Sequence, residues 1–142
     1  MKRIFFTVVV LALLSQVVCL FSCQKDSVNI NNLQKKPLST IQKAVEGKWK
    51  VEGTFGGFTG WLPASGNEFV EINGNMMNGR EFQWRKWKIE SSRSFSTYAI
   101  QFIGFDEPSI YFSRLRNDSL YVGYVHILGF DAFTGQLWVR IK

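Results

Sequence analysis

Gly47-Lys48-Trp49-Lys50-Val51-Glu52-Gly53-Thr54-Phe55 is the stretch whose reading decides the fold of this chain. Trp49, Val51, Gly53 and Phe55 alternate with Lys48, Lys50, Glu52 and Thr54. Successive side chains of a strand point to opposite faces, so this period of two puts the apolar set on one side of a strand. The pattern recurs downstream in segments bounded by Gly, Asn, Asp, Ser or Pro, predicting strands over 68–72, 81–89, 95–103, 109–116, 120–126 and 136–141. The links between them are short enough for hairpins. Consecutive strands with short links form an antiparallel meander, because a parallel pair needs a crossover and no helical periodicity beyond Gly47 can supply one. In 81–89 the inward parity shifts from Phe82 and Trp84 to Trp87 and Ile89, which predicts a bulge near Arg85 and Lys86. Seven or eight twisted strands with aromatic inner faces and no covering helix must remove their edges. Up-and-down closure into a small barrel is the simplest way, so an all-β fold is expected.

Upstream of this strand, Ser39, Thr40 and Gln42 form an approximate capping box before Ile41, Ala44 and Val45. A short helix is expected there, ended by Gly47 in a left-handed backbone. Residues 24–37 are rich in Asn, Gln, Ser and Lys, with little to bury beyond Val28, Ile30 and Leu33, and read as a polar tether. At the N-terminus, Lys2 and Arg3 precede an apolar run from Ile4 to Leu14 that is too short for a membrane-spanning helix and has the form of a secretory signal. The expected organisation is a signal over 1–22, a flexible tether over 23–38 and a barrel domain over 39–142. Without Lys2 and Arg3 the formal charge falls from +6 to about +4, mildly basic. Arg85, Lys86, Lys88 and Arg93, interleaved with Trp84 and Trp87, could in principle grip phosphates and stack bases. In an exported chain they read instead as the water-facing side of a strand, and no nucleic-acid partner is expected.

Leu20-Phe21-Ser22-Cys23 resembles the bacterial lipobox in its Leu three positions before the cysteine and its Ser immediately before it. That resemblance implies cleavage before Cys23 and acylation of its sulfur, anchoring the protein in the outer membrane, on its periplasmic or surface side. Each buried methylene adds about 0.8 kcal/mol of membrane affinity, so several acyl chains suffice without a membrane-binding protein surface. Cys19 and Cys23 are the chain's two cysteines, and the domain beyond them carries no disulfide. Gly47-Lys48-Trp49 after a short helix is similar to the Gly-x-Trp opening of the first lipocalin strand. Arg140 in Leu137-Trp138-Val139-Arg140-Ile141 resembles the arginine that packs over that tryptophan from the last strand. The stretch from Ile41 onward thus resembles the small lipocalin-like lipoproteins of the Bacteroidetes. The resemblance implies structural roles for Gly47, Trp49 and Arg140, a barrel closed at one end, and an interior that either holds one ligand or is filled by side chains.

Catalysis wants a nucleophile with a base, or a set of metal ligands. His126 is the one histidine, and Asp106 and Glu107 are adjacent in a turn rather than paired across a site, so neither an enzyme nor a bound metal or cofactor is expected. Aromatic residues in two glycine-bearing loops remain: Phe55, Phe58 and Trp61 in one, and Ile127, Leu128, Phe130 and Phe133 in the other. They are candidates for a rim that binds a small apolar or amphipathic ligand at the barrel mouth. The alternative is a solid barrel whose aromatic loops meet an outer-membrane protein partner. Large side chains expected to point inward, among them Trp49, Phe55, Trp84, Tyr98, Ile100 and Phe102, favour a full interior.

Overall fold

The computed structural model describes residues 29–56, 60–90, 94–125 and 134–141. One helix, α1 (Leu38–Val45), precedes nine strands: β1 (Gly47–Gly56), β2 (Gly60–Pro63), β3 (Phe69–Asn73), β4 (Met76–Met77), β5 (Arg80–Ile89), β6 (Phe95–Phe102), β7 (Ile110–Arg116), β8 (Ser119–Tyr124) and β9 (Gly135–Arg140). Every strand pair is antiparallel. The order β1-β3-β4-β5-β6-β7-β8-β9 returns to β1 through the β1–β9 pairing and closes an eight-stranded barrel. Strand β2 is the extra one. It shares an edge of β1 with β3, β3 pairing with Gly47–Lys50 and β2 with Gly53–Gly56. The meander read from the sequence is therefore the fold. The two strands the sequence left as loops, β2 and β4, are four and two residues long.

Apolar side chains pack the centre of the barrel. Trp49, Ile72, Phe82, Ile100, Phe112, Leu120 and Val122 are almost wholly buried there, with Trp138 at 3% exposure. A file of rings crosses the interior: Phe82 to Trp84 at 5.6 Å, Trp84 to Phe112 at 6.0 Å, Phe112 to Trp138 at 6.1 Å, in tilted or edge-on contacts that suit aromatic quadrupoles.

Three local expectations are corrected. Pairing between β5 and β6 runs unbroken from Phe82↔Phe102 to Ile89↔Phe95, so no bulge occurs near Arg85 and Lys86. Trp87 and Ile89 lie on the opposite face from Phe82 and Trp84. Ile89 is nevertheless only 6% exposed, because β6 is covered on both sides: Thr97 and Ala99 on its outer face are as buried as Ile100 within. The register shifts instead in β1, between Val51 and Gly53, and in β7, between Phe112 and Arg114. The β1 bulge turns Phe55 away from the core. Val51 pairs with inward Trp138, but Gly53 pairs with Leu137 and Phe55 with Gly135, which face the other way.

Second, α1 begins at Leu38 behind Pro37, whose carbonyl accepts from the amides of Thr40 and Ile41. No side chain caps it, so the Ser39–Gln42 box does not form.

The third correction concerns the tether. From Asn29 onward it is part of the barrel: Ile30 exchanges two backbone hydrogen bonds with Leu115, at 2.8 and 3.1 Å, and a 3-10 turn at Leu33–Lys35 buries Leu33 completely. Strands β6 and β7 pair only at Ala99↔Tyr111 and Ile100↔Ile110. The lower edge of β7 is thus left open, and Ile30 and Leu33 satisfy its backbone and core. A composition too polar to fold alone folds onto a vacant edge.

Candidate functional site

Where α1 runs into β1, Gly47, Trp49 and Arg140 are brought together as the resemblance implied. The guanidinium carbon of Arg140 lies 4.2 Å from the centre of a Trp49 ring. Its Nη1 donates to the carbonyl of Glu46 at 2.7 Å and its Nη2 to that of Ala44 at 2.8 Å, while Trp49 Nε1 donates to Val45 O at 2.8 Å. Two side chains from the first and last strands thus satisfy carbonyls that the end of α1 leaves without helical partners. Gly47 has φ of 124°, and a Cβ there would stand 2.7 Å from Arg140 Nη1. Burial lowers the Arg140 pKa and the charge of Asp118 opposes that shift. This module is structural.

The expected rim divides. Phe58, Phe130, Phe133, Ile127, Leu128 and His126 lie outside the described residues, as does Cys23. Trp61 is 47% exposed on β2, its ring lying over Gly53. Phe55, the cross-strand partner of Trp61 in the β1–β2 pair, lies on the outer wall of the barrel.

There, Phe55, Gly135, Gly123 and Tyr111 occupy one row across β1, β9, β8 and β7. Both glycines are needed: a ring lies on each, and at Gly135 the Val122 backbone carbonyl closes in as well. A Cβ at Gly135 would come within 2.9 Å of Phe55 Cζ, and one at Gly123 would overlap the Tyr111 ring. An interior strand glycine marks such a close approach. Tyr111 meets Phe95 edge-on at 5.6 Å, and Phe55 meets Tyr121 at 6.2 Å. These rings, with Asn32, Gln34, Ser113, Arg114 and Thr134, line a half-enclosed cleft of about 290 Å³. Arg114, displaced to the outside by the β7 bulge, stacks 3.8 Å over Tyr121. Gln34 Oε1 is buried without a hydrogen-bond partner. Burial raises the Tyr111 pKa, so its hydroxyl stays protonated well into the alkaline range.

The cleft therefore offers ring faces for an apolar surface, one guanidinium for an anion and an acceptor for a hydroxyl or amine. Sequence reading found Phe55 but not Phe95, Tyr111, Arg114 or Tyr121. Gly123 and Gly135 inside two strands were the signal that could have found them. No group of three or more metal-ligating side chains occurs among the described residues. Compared with protein-family models, with curated proteins and with solved structures, the chain matches none of them.

Proposed function

We propose that this chain is an exported lipoprotein, anchored to the outer membrane through Cys23, whose lipocalin-like barrel serves as a rigid body and binds a small amphipathic ligand on its outer wall. The observation that carries this reading is the convergence of Phe55, Phe95, Tyr111 and Tyr121 with Arg114 on one cleft, beside a barrel core already filled by Trp49, Phe82, Phe112 and Trp138. A filled core argues against carriage inside the barrel. The cleft is near the lower bound of small-molecule sites, so it suits a ligand of about one ring. Native mass spectrometry of the exported protein, together with NMR of the Tyr111 and Tyr121 rings during titration with fatty acids, haem and hydroxylated ring carboxylates, tests the reading. A co-purified small molecule or saturable ring shifts support it. Neither, across all three classes, overturns it.

The second reading, a packed adaptor for a membrane protein partner, is favoured by exposed apolar side chains outside the lining of that cleft. Trp61, Leu62 and Phe69 are 47–55% exposed along β2 and β3. Among the described residues no strand pairs with the outer edge of β2. Stoichiometric capture of a membrane protein that is lost in Trp61→Ser and Leu62→Ser would select it.

A further inference from the structure

We infer that the barrel sits with its α1 end against the membrane, where Lys35, Lys36, Lys43 and Arg116 face anionic lipid headgroups. The inference rests on the reading of Cys23 as the anchor and adds an orientation to it. Asn29 is fixed to the barrel, its Oδ1 accepting from the amide of Asn117 at 2.9 Å, with Ile30 bonded to Leu115 beside it. Asn29 is six residues from Cys23. At 3.3–3.6 Å per residue, that stretch of chain reaches at most about 20 Å. The end of the barrel that carries Asn29 is therefore held close to the bilayer, and the domain does not float clear of it.

That end is basic. Lys36 and Thr40 line the same depression as Asn29 and Ile30. Lys43 follows Thr40 by about one turn of α1, Lys35 precedes Lys36, and Arg116 adjoins the β7–β8 turn that holds Asn29. All four are exposed, and none forms an ion pair among the described residues. Of the nearby acids, Asp118 acts on Arg140, Glu71 pairs with Lys48 at 3.6 Å, and Glu46 remains. The β6–β7 loop at the opposite end is acidic and apolar instead, with Asp106, Glu107, Ile103 and Phe105 exposed. Cations within a Debye length of an anionic surface are drawn to it, whereas carboxylates are repelled, so the anchored domain has one favoured pose.

The test uses the exported, processed protein in vesicles of phosphatidylcholine with phosphatidylglycerol, with a fluorophore on Lys43→Cys or on Glu107→Cys and spin-labelled headgroups as quencher. Cys23 is acylated in this reading, so the added thiol is the labelled one. Quenching at position 43 is expected to exceed that at 107 by about threefold or more, and to approach it at high salt or in Lys35→Glu/Lys36→Glu/Arg116→Glu. Protein that floats with the vesicles but shows equal quenching at both positions overturns the orientation and leaves the anchor standing. Protein that does not float overturns the anchor and the orientation together.

Discussion

The Arg140 guanidinium lies over Trp49, its carbon 4.2 Å from a ring centre, while its two terminal nitrogens hold the carbonyls of Ala44 and Glu46. The last strand thereby fastens the first strand and the helix before it with one planar group. Lysine cannot reproduce this, having a compact charge and no fork. Arg140→Lys is expected to cost about 2 kcal/mol, from one carbonyl left unpaired and a weaker cation–π contact. Gly47→Ala is expected to cost at least as much, since a side chain at φ 124° is strained and would meet the same guanidinium. Urea midpoints at constant m-value measure both, and a loss below about 0.5 kcal/mol for either would remove the module from the account.

Leu33→Ala distinguishes a docked segment from a loose one. A fully buried leucine truncated to alanine costs about 2–5 kcal/mol, whereas the same change in a solvated tether costs almost nothing. The large value is expected here, read by chemical denaturation of the protein beginning at Cys23.

Trp84 presents the opposite case. Its Nε1 is buried without a hydrogen-bond partner, although its ring packs against Phe82 and Phe112. Phenylalanine removes the stranded donor and keeps much of the ring contact. Trp84→Phe should therefore be neutral or stabilising within about 1 kcal/mol. Trp49→Phe, which loses the bond to Val45 O, should cost about 2 kcal/mol. Reversal of that order would contradict the interior described above.

Gly123→Ala should change the outer cleft more than it changes the fold, whereas Gly135→Ala should cost stability as well, because a Cβ there meets the Val122 carbonyl of the neighbouring strand. A methyl group at Gly123 must push the Tyr111 ring off its glycine, and one at Gly135 must displace both the Phe55 ring and the β8 backbone at Val122. Ring chemical shifts of the displaced residue should move, and any ligand detected in the parent should bind about tenfold or more weakly, equivalent to roughly 1.4 kcal/mol. Unchanged affinity in both variants would place the binding site elsewhere.

The alkaline limb of stability should report Tyr111. Burial raises its folded pKa above the ordinary value near 10. The unfolded chain thus ionises first, and the stability associated with the neutral hydroxyl is complete below pH 10 and lost as pH climbs through the raised folded value. Tyr124 contributes in the same direction through burial and the charge of Glu68. Urea midpoints between pH 9 and pH 11 should fall more steeply for the parent than for Tyr111→Phe. Parallel slopes would refute this.

The alternation of Trp49 and Val51 with lysines, the repeated turn signals and the lack of any later helical period sufficed to specify an antiparallel barrel, because strand periodicity is a local property of side-chain direction. The pairing of Gly47, Trp49 and Arg140 was legible too, through a short motif whose geometry depends on few atoms. What the linear order did not reveal was where a strand changes face. The bulge between Val51 and Gly53 sends Phe55 outside, and no bulge forms at Lys86, since register is set by cross-strand partners far away in the chain. The same non-local cause turned a polar leader into part of the wall. Leu33 is buried because β6 and β7 diverge and leave a vacancy for it, and the aromatic cleft exists because two glycines and four rings from different strands fall into adjacent rows once the sheet closes. Local pattern determined what each segment is, and closure of the sheet decided what each segment meets.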